Sequence, residues 1–159
     1  MKFSNFDIKL DTSTNSFTHN NNEIKVLKYL PVRDKLDLIE IAFQKAEEED
    51  GTYNEIKLDI YFHLNLIYLY TDLEFSPEDK EDEMELFDKL ESSGIINEVI
   101  MHMDQAEYNN LEEYLVDTKE ILEKYKHTAA AVLRTFVQDL PKNAAAAKEI
   151  VDSFDREKY

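Results

Sequence analysis

Asn54-Glu55-Ile56-Lys57-Leu58-Asp59-Ile60-Tyr61-Phe62-His63-Leu64-Asn65-Leu66-Ile67-Tyr68-Leu69-Tyr70 is the stretch on which the fold turns. Its apolar side chains surround nearly the whole cylinder of a helix, which demands neighbours on most sides. An alternating strand is conceivable for residues 56–60 alone, but the length favours a helix over about residues 54–73. Lys57, Asp59, His63, Asn65 and Asp72 interrupt the run. A membrane span needs ~20 mostly apolar residues with few charges, so the expectation is a central, buried helix.

Outward from that helix the pattern stays helical. Leu30-Pro31 suits a helix start. Leu36, Ile39, Phe43 and Ala46 follow at spacings of three and four, widened by Leu38 and Ile41, which predicts an amphipathic helix over residues 32–49. Asp50-Gly51 closes it. Downstream, Ser76-Pro77-Glu78-Asp79 combines a serine cap, proline at the first helical position and acids in the first turn. That predicts a helix over residues 77–92 with a stop at Gly94. Ile95, Ile96, Val99, Ile100 and Met103 predict a short helix or a turn of helix, and Asp104-Gln105-Ala106-Glu107 reads as a capping box. Tyr108, Leu111, Leu115, Thr118, Leu122, Tyr125, Ala129, Val132 and Phe136 then alternate spacings of three and four, a heptad seam on one helix over residues 105–138. Such a helix is roughly 51 Å long at ~1.5 Å per residue, so it either breaks near Lys126-His127-Thr128 or projects. Its seam is either a contact within the bundle or one between molecules. Asn143 caps a last helix over residues 144–154.

Residues 1–30 differ. Phe6-Asp7-Ile8-Lys9-Leu10 and Glu23-Ile24-Lys25-Val26-Leu27 alternate with a period of two, separated by a turn-rich segment from Asp11 to Asn22. They predict an antiparallel hairpin that packs on its own helices or exchanges between subunits. The expected fold is therefore mainly α: a bundle of about five to six helices (residues 31–159) behind an N-terminal β-hairpin arm (residues 1–30).

Composition narrows the function. The chain has 159 residues, of which 35 are acidic and 18 basic, a net charge of −17, with two glycines and no cysteine. The absence of cysteine excludes disulfides and thiolate zinc sites, and two glycines leave no phosphate-cradling loop. The charge disfavours direct contact with nucleic acid or an anionic membrane. The first residues lack the apolar run of a secretory signal, so a soluble, intracellular, non-secreted protein is expected.

The charge is concentrated. Residues 72–91 hold ten acids against Lys80 and Lys89. Glu78, Asp79, Glu81, Asp82, Glu83, Glu85 and Asp88 form either a solvated helix face or a candidate face for a protein partner with a basic surface. A calcium loop would need a glycine at its sharp turn, and none is present there. The second candidate surface is the seam at Tyr108, Leu111, Leu115, Leu122 and Tyr125, facing a partner, a second copy or the bundle itself. His63 has Asp59 four residues earlier, which suits a core histidine held by a carboxylate. Neither a nucleophile motif nor a helical histidine pair is present, so no catalytic, metal or cofactor site is expected.

Glu23-Ile24-Lys25-Val26-Leu27-Lys28-Tyr29-Leu30-Pro31-Val32 on to Tyr53, and Tyr61-Phe62-His63-Leu64-Asn65-Leu66-Ile67-Tyr68-Leu69-Tyr70, resemble small proteins of tailed bacteriophages of Gram-positive hosts. Over about residues 20–140 the plan is similar to that of tail assembly chaperones, a strand pair followed by an acidic helical body. The resemblance implies a non-enzymatic protein in the cytoplasm of the bacterial host. It would coat a helical tape-measure protein or recruit tail-tube subunits in virion assembly. The alternative is an acidic phage inhibitor, of DNA-mimic or anti-CRISPR type, that occupies the nucleic-acid groove of a host enzyme. An enzyme with an unrecognised carboxylate site is the third and weakest reading.

Overall fold

The computed structural model describes the backbone of residues 1–139 and the side chains of residues 1–125. It is mainly helical behind a two-stranded hairpin, as expected: β1 (Thr14–His19), β2 (Asn22–Leu27), α1 (Val32–Ala46), α2 (Glu55–Tyr70), α3 (Glu83–Ser92), α4 (Ile95–His102) and α5 (Gln105–Asp139). The helix expected over residues 144–154 lies outside the described residues. The chain divides into two compact units, Met1–Leu115 and Val116–Tyr159. The hairpin and α1 to α4 belong to the first.

The hairpin is displaced from its expected place. Residues 6–10 do not pair; Phe3–Phe6 is a 3-10 turn and residues 7–13 are irregular. The first strand instead lies inside the turn-rich segment, with Phe17 opposite Ile24 and His19 opposite Asn22. The reversal is made by Asn20 and Asn21 alone, both left-handed at φ 47° and 64°. Two successive positive φ values are the signature of the tight hairpin turn whose twist matches that of its strands, and asparagine tolerates them well. The polar residues thus hide a turn of two residues, not a loop of twelve. Asn21→Val should destabilise the first unit by about 1–2 kcal/mol in a urea titration, because a β-branched side chain is strained there.

Phe17, Ile24 and Val26 join the main core. The Lys25 amide donates to the Asp72 carboxylate (2.9 Å), the Asp72 amide donates back to the Lys25 carbonyl (3.3 Å), and Val26 bridges to Thr71. From the other strand, the Asn15 side-chain amide donates to the His102 carbonyl (2.8 Å), and Phe17 stacks on the His102 ring. The hairpin is therefore folded on its own helices, whereas residues 1–13 ahead of it are exposed.

α1 and α2 form the central pair. The Asn54 side chain caps α2 by accepting from the Ile56 and Lys57 amides. α2 is the buried helix its composition demands: Leu58, Phe62, Leu64, Asn65, Leu66, Ile67 and Tyr70 are all inside. Asn65 is satisfied there by donating to the Leu38 carbonyl of α1 (3.0 Å). Ile56, by contrast, is exposed. On α1 the buried arc comprises Lys35, Leu38, Ile39, Ala42, Phe43 and Ala46. Leu36 and Ile41, read as part of the stripe, fall outside this arc and face solvent. Their places are taken by Lys35 and Ala42, which share the helical face of Leu38 and Ile39.

Candidate functional site

The acidic surface is built by two caps in series. Ser76 and Asp79 bond reciprocally: the Ser76 amide donates to Asp79 Oδ2 (2.8 Å), and the Asp79 amide donates to Ser76 Oγ (3.1 Å). This is the geometry of a helix start, yet only a turn follows. The Asp82 carboxylate then accepts from the Met84 and Glu85 amides, and α3 begins at Glu83. The expected helix over residues 77–92 is thus a capped turn followed by a shorter helix. Glu78, Asp79, Glu81 and Asp82 would repel one another on one continuous helix, whereas here two of them satisfy amides.

The break creates a concavity. Glu78, Asp79, Glu81, Asp82, Glu85, Leu86 and Lys89 surround a cavity of about 520 Å³. Lys89 is held by Glu85 (2.9 Å), which raises the lysine pKa. Asp79 is depressed below the usual carboxylate range by the Ser76 amide and hydroxyl. Because its folded pKa is lowered, its contribution is present above the unfolded value of about 3.8 and is lost as pH falls through the folded one. In a pH titration followed by NMR, the Ser76 amide should shift with Asp79 below pH 3.8, and Ser76→Ala should move that midpoint upward.

Two residues of the expected acidic face stand apart. Glu83 turns to the body, accepting from Lys45 Nζ (2.6 Å) and from the Tyr68 hydroxyl (3.2 Å). Burial, and then the Glu83 charge, push the Tyr68 phenol upward. Asp88 is exposed but does not line the cavity. Among the described residues, no group of three or more histidine or carboxylate side chains is placed to hold a metal ion.

The seam divides between the two units. Leu111 is fully buried in the core, and Tyr108 and Leu115 pack against it. Burial, with a hydrogen bond to Glu112, pushes the Tyr108 phenol up to about 12. In the second unit, Leu122 is 40 % and Tyr125 72 % exposed, with Ile121 exposed beside them. At about 100° per residue, Ile121, Leu122 and Tyr125 share one arc of α5. The first half of the seam is therefore an intramolecular contact, and the second half offers an apolar face.

The heptad reading missed Glu107. Asp104 caps α5 through the Ala106 amide (2.9 Å), but Glu107 does not close the expected capping box. It turns inward, 5 % exposed, and contacts Lys35 Nζ (2.9 Å), the Tyr70 hydroxyl (2.8 Å) and the Leu30 amide (3.0 Å). Lys35 in turn lies over the Tyr29 ring. Lys35 at a helix position three before Leu38 was the available signal, because only a buried partner explains a lysine on the apolar face. His63 also differs in detail. Its Nδ1 lies 2.8 Å from the Asp59 backbone carbonyl and 3.4 Å from the carboxylate. The backbone thus holds the ring more closely than the side chain does.

Neither a protein-family model, nor a curated protein, nor a solved structure matches the chain. Among the described residues, no helix is long and apolar enough to cross a membrane.

Proposed function

We propose that this chain is a non-enzymatic phage protein that works by protein–protein contact in tail assembly, docking its partner on the apolar face of α5. The observation that carries the reading is the division of the seam. One heptad pattern is covered by the chain's own core at Leu111 and uncovered at Leu122 and Tyr125. A leucine and a tyrosine at seam spacing form the kind of anchor that a groove or a second helix accepts. The acidic concavity keeps the surface charged and disfavours nucleic acid.

A second reading is an acidic inhibitor of a nucleic-acid-binding enzyme. It draws on the five carboxylates Glu78, Asp79, Glu81, Asp82 and Glu85 gathered around one concave surface. Two variants separate the readings. Leu122→Ser with Tyr125→Ser removes apolar anchors. Glu78→Gln with Glu81→Gln removes charge without touching the caps at Asp79 and Asp82.

Under the assembly reading, the first variant weakens binding to the tape-measure protein encoded in the same genome by about tenfold or more. The second variant leaves that binding unchanged, with little dependence on salt. Loss of binding in the charge variant alone, together with a steep salt dependence, would replace assembly by inhibition.

A further inference from the structure

The hairpin carries an open edge, and the same chain carries an alternating segment with nothing to pair with. The Lys28 amide donates to the Ser13 carbonyl (3.0 Å), which fixes the phase of the ladder. In an antiparallel pair the hydrogen-bonded residues alternate. With Ser13 bonded to Lys28, residues 15, 17 and 19 face β2, and the backbone groups of Thr14, Ser16 and Thr18 point away from it. On the far side of β2, Asp72 covers the edge at Lys25. On the β1 side, no hydrogen bond among the described residues reaches Thr14, Ser16 or Thr18, and all three are exposed. A bare edge of this kind invites another strand.

Residues 6–10 have the side-chain pattern of that strand, and pairing would extend the backbone at Phe6, now the end of the 3-10 turn, and at Asp7, now left-handed at φ 48°. Phe6, Ile8 and Leu10 alternate with Asp7 and Lys9, and the three apolar side chains are 55–64 % exposed. Their own chain does not use them: Asp11 accepts from the Ser13 amide and hydroxyl, a local turn between the segment and β1. The charge distribution points to the partner. Residues 1–29 hold four basic and three acidic side chains, whereas residues 30–159 hold fourteen and thirty-two. Like chains of charge −17 repel, and this arm is the part at which two copies can approach without that cost.

We infer that two copies of this chain associate by β-strand addition, residues 6–10 of each pairing with the open β1 edge of the other around a two-fold axis. Phe6, Ile8 and Leu10 then share the sheet face of Phe17, and the exchange is reciprocal and closed. The surface is distinct from the α5 face, so either proposal can fail alone.

Sedimentation equilibrium of the full chain should give twice the chain mass. Lys9→Pro, which removes an amide that faces β1 of the other copy, should give the monomer with an unchanged far-ultraviolet spectrum. The chain has no cysteine, so cross-linking is clean. Oxidation of a double variant, Lys9→Cys with Ser16→Cys, whose side chains share the other face of the sheet, should yield covalent dimers on a denaturing gel. A monomeric parent chain, a dimer that survives Lys9→Pro, or a double variant that closes only within one chain would each overturn the inference.

Discussion

Replacing Glu107 by alanine should destabilise the first unit by about 3–5 kcal/mol, a large part of the ~5–15 kcal/mol that holds a typical domain together. The loss has three parts. Lys35, 4 % exposed, would keep its charge with no counter-charge. The Tyr70 hydroxyl and the Leu30 amide, both buried, would lose their acceptor. Breaking one side of a buried pair costs far more than removing both sides. The double variant Lys35→Met with Glu107→Leu should therefore recover much of the stability that Glu107→Ala loses. Tyr70→Phe should cost only about 1 kcal/mol, since Glu107 keeps its other donors. Urea melts of the four proteins check the series. Equal losses in Glu107→Ala and the double variant would show that the pair is not the source of the effect.

Leu111→Ala and Leu122→Ala should differ sharply, although both remove the same atoms from the same seam. Leu111 has no exposed surface and is joined by Tyr108 and Leu115 at the core, so its truncation should cost about 2–5 kcal/mol. Leu122 is 40 % exposed, and its truncation should fall within about 1 kcal/mol of zero. Thermal melts measure the stability difference. Partner binding should show the reverse order once the melt is accounted for: Leu122→Ala weakens it, and Leu111→Ala acts only through folding. A large stability loss at Leu122 would mean that the face is covered in solution, and the docking proposal would lose its ground.

Elements with strong local signals were legible in the residues. The apolar surround of residues 54–70, the three-and-four spacing after Pro31, the stop at Gly94 and the seam from Tyr108 all became helices. Local energetics decide such elements, because side chains three or four apart share a face whatever the rest of the chain does. The hairpin was harder. Alternation in residues 6–10 was a true pattern without a partner, and Asn20-Asn21 was one turn among many polar candidates. Strand pairing is a non-local choice, which the core settles by burying Phe17, Ile24 and Val26.

The acidic surface shows the same division. Clustering of the carboxylates could be read from composition, and the Ser76 cap from its motif. That the helix restarts at Asp82, and that Glu83 turns to Lys45 and Tyr68, depends on where α1 and α2 stand. Local residue patterns were enough to dictate a mainly helical, acidic chain with a buried central helix and a long seam. Which half of that seam is covered, and why Lys35 and Glu107 are buried, followed from long-range packing. A seam shows what a helix can pack, whereas burial depends on what arrives beside it. A buried charge is tolerated only where packing brings its counter-charge from a distant part of the chain, here across 72 residues.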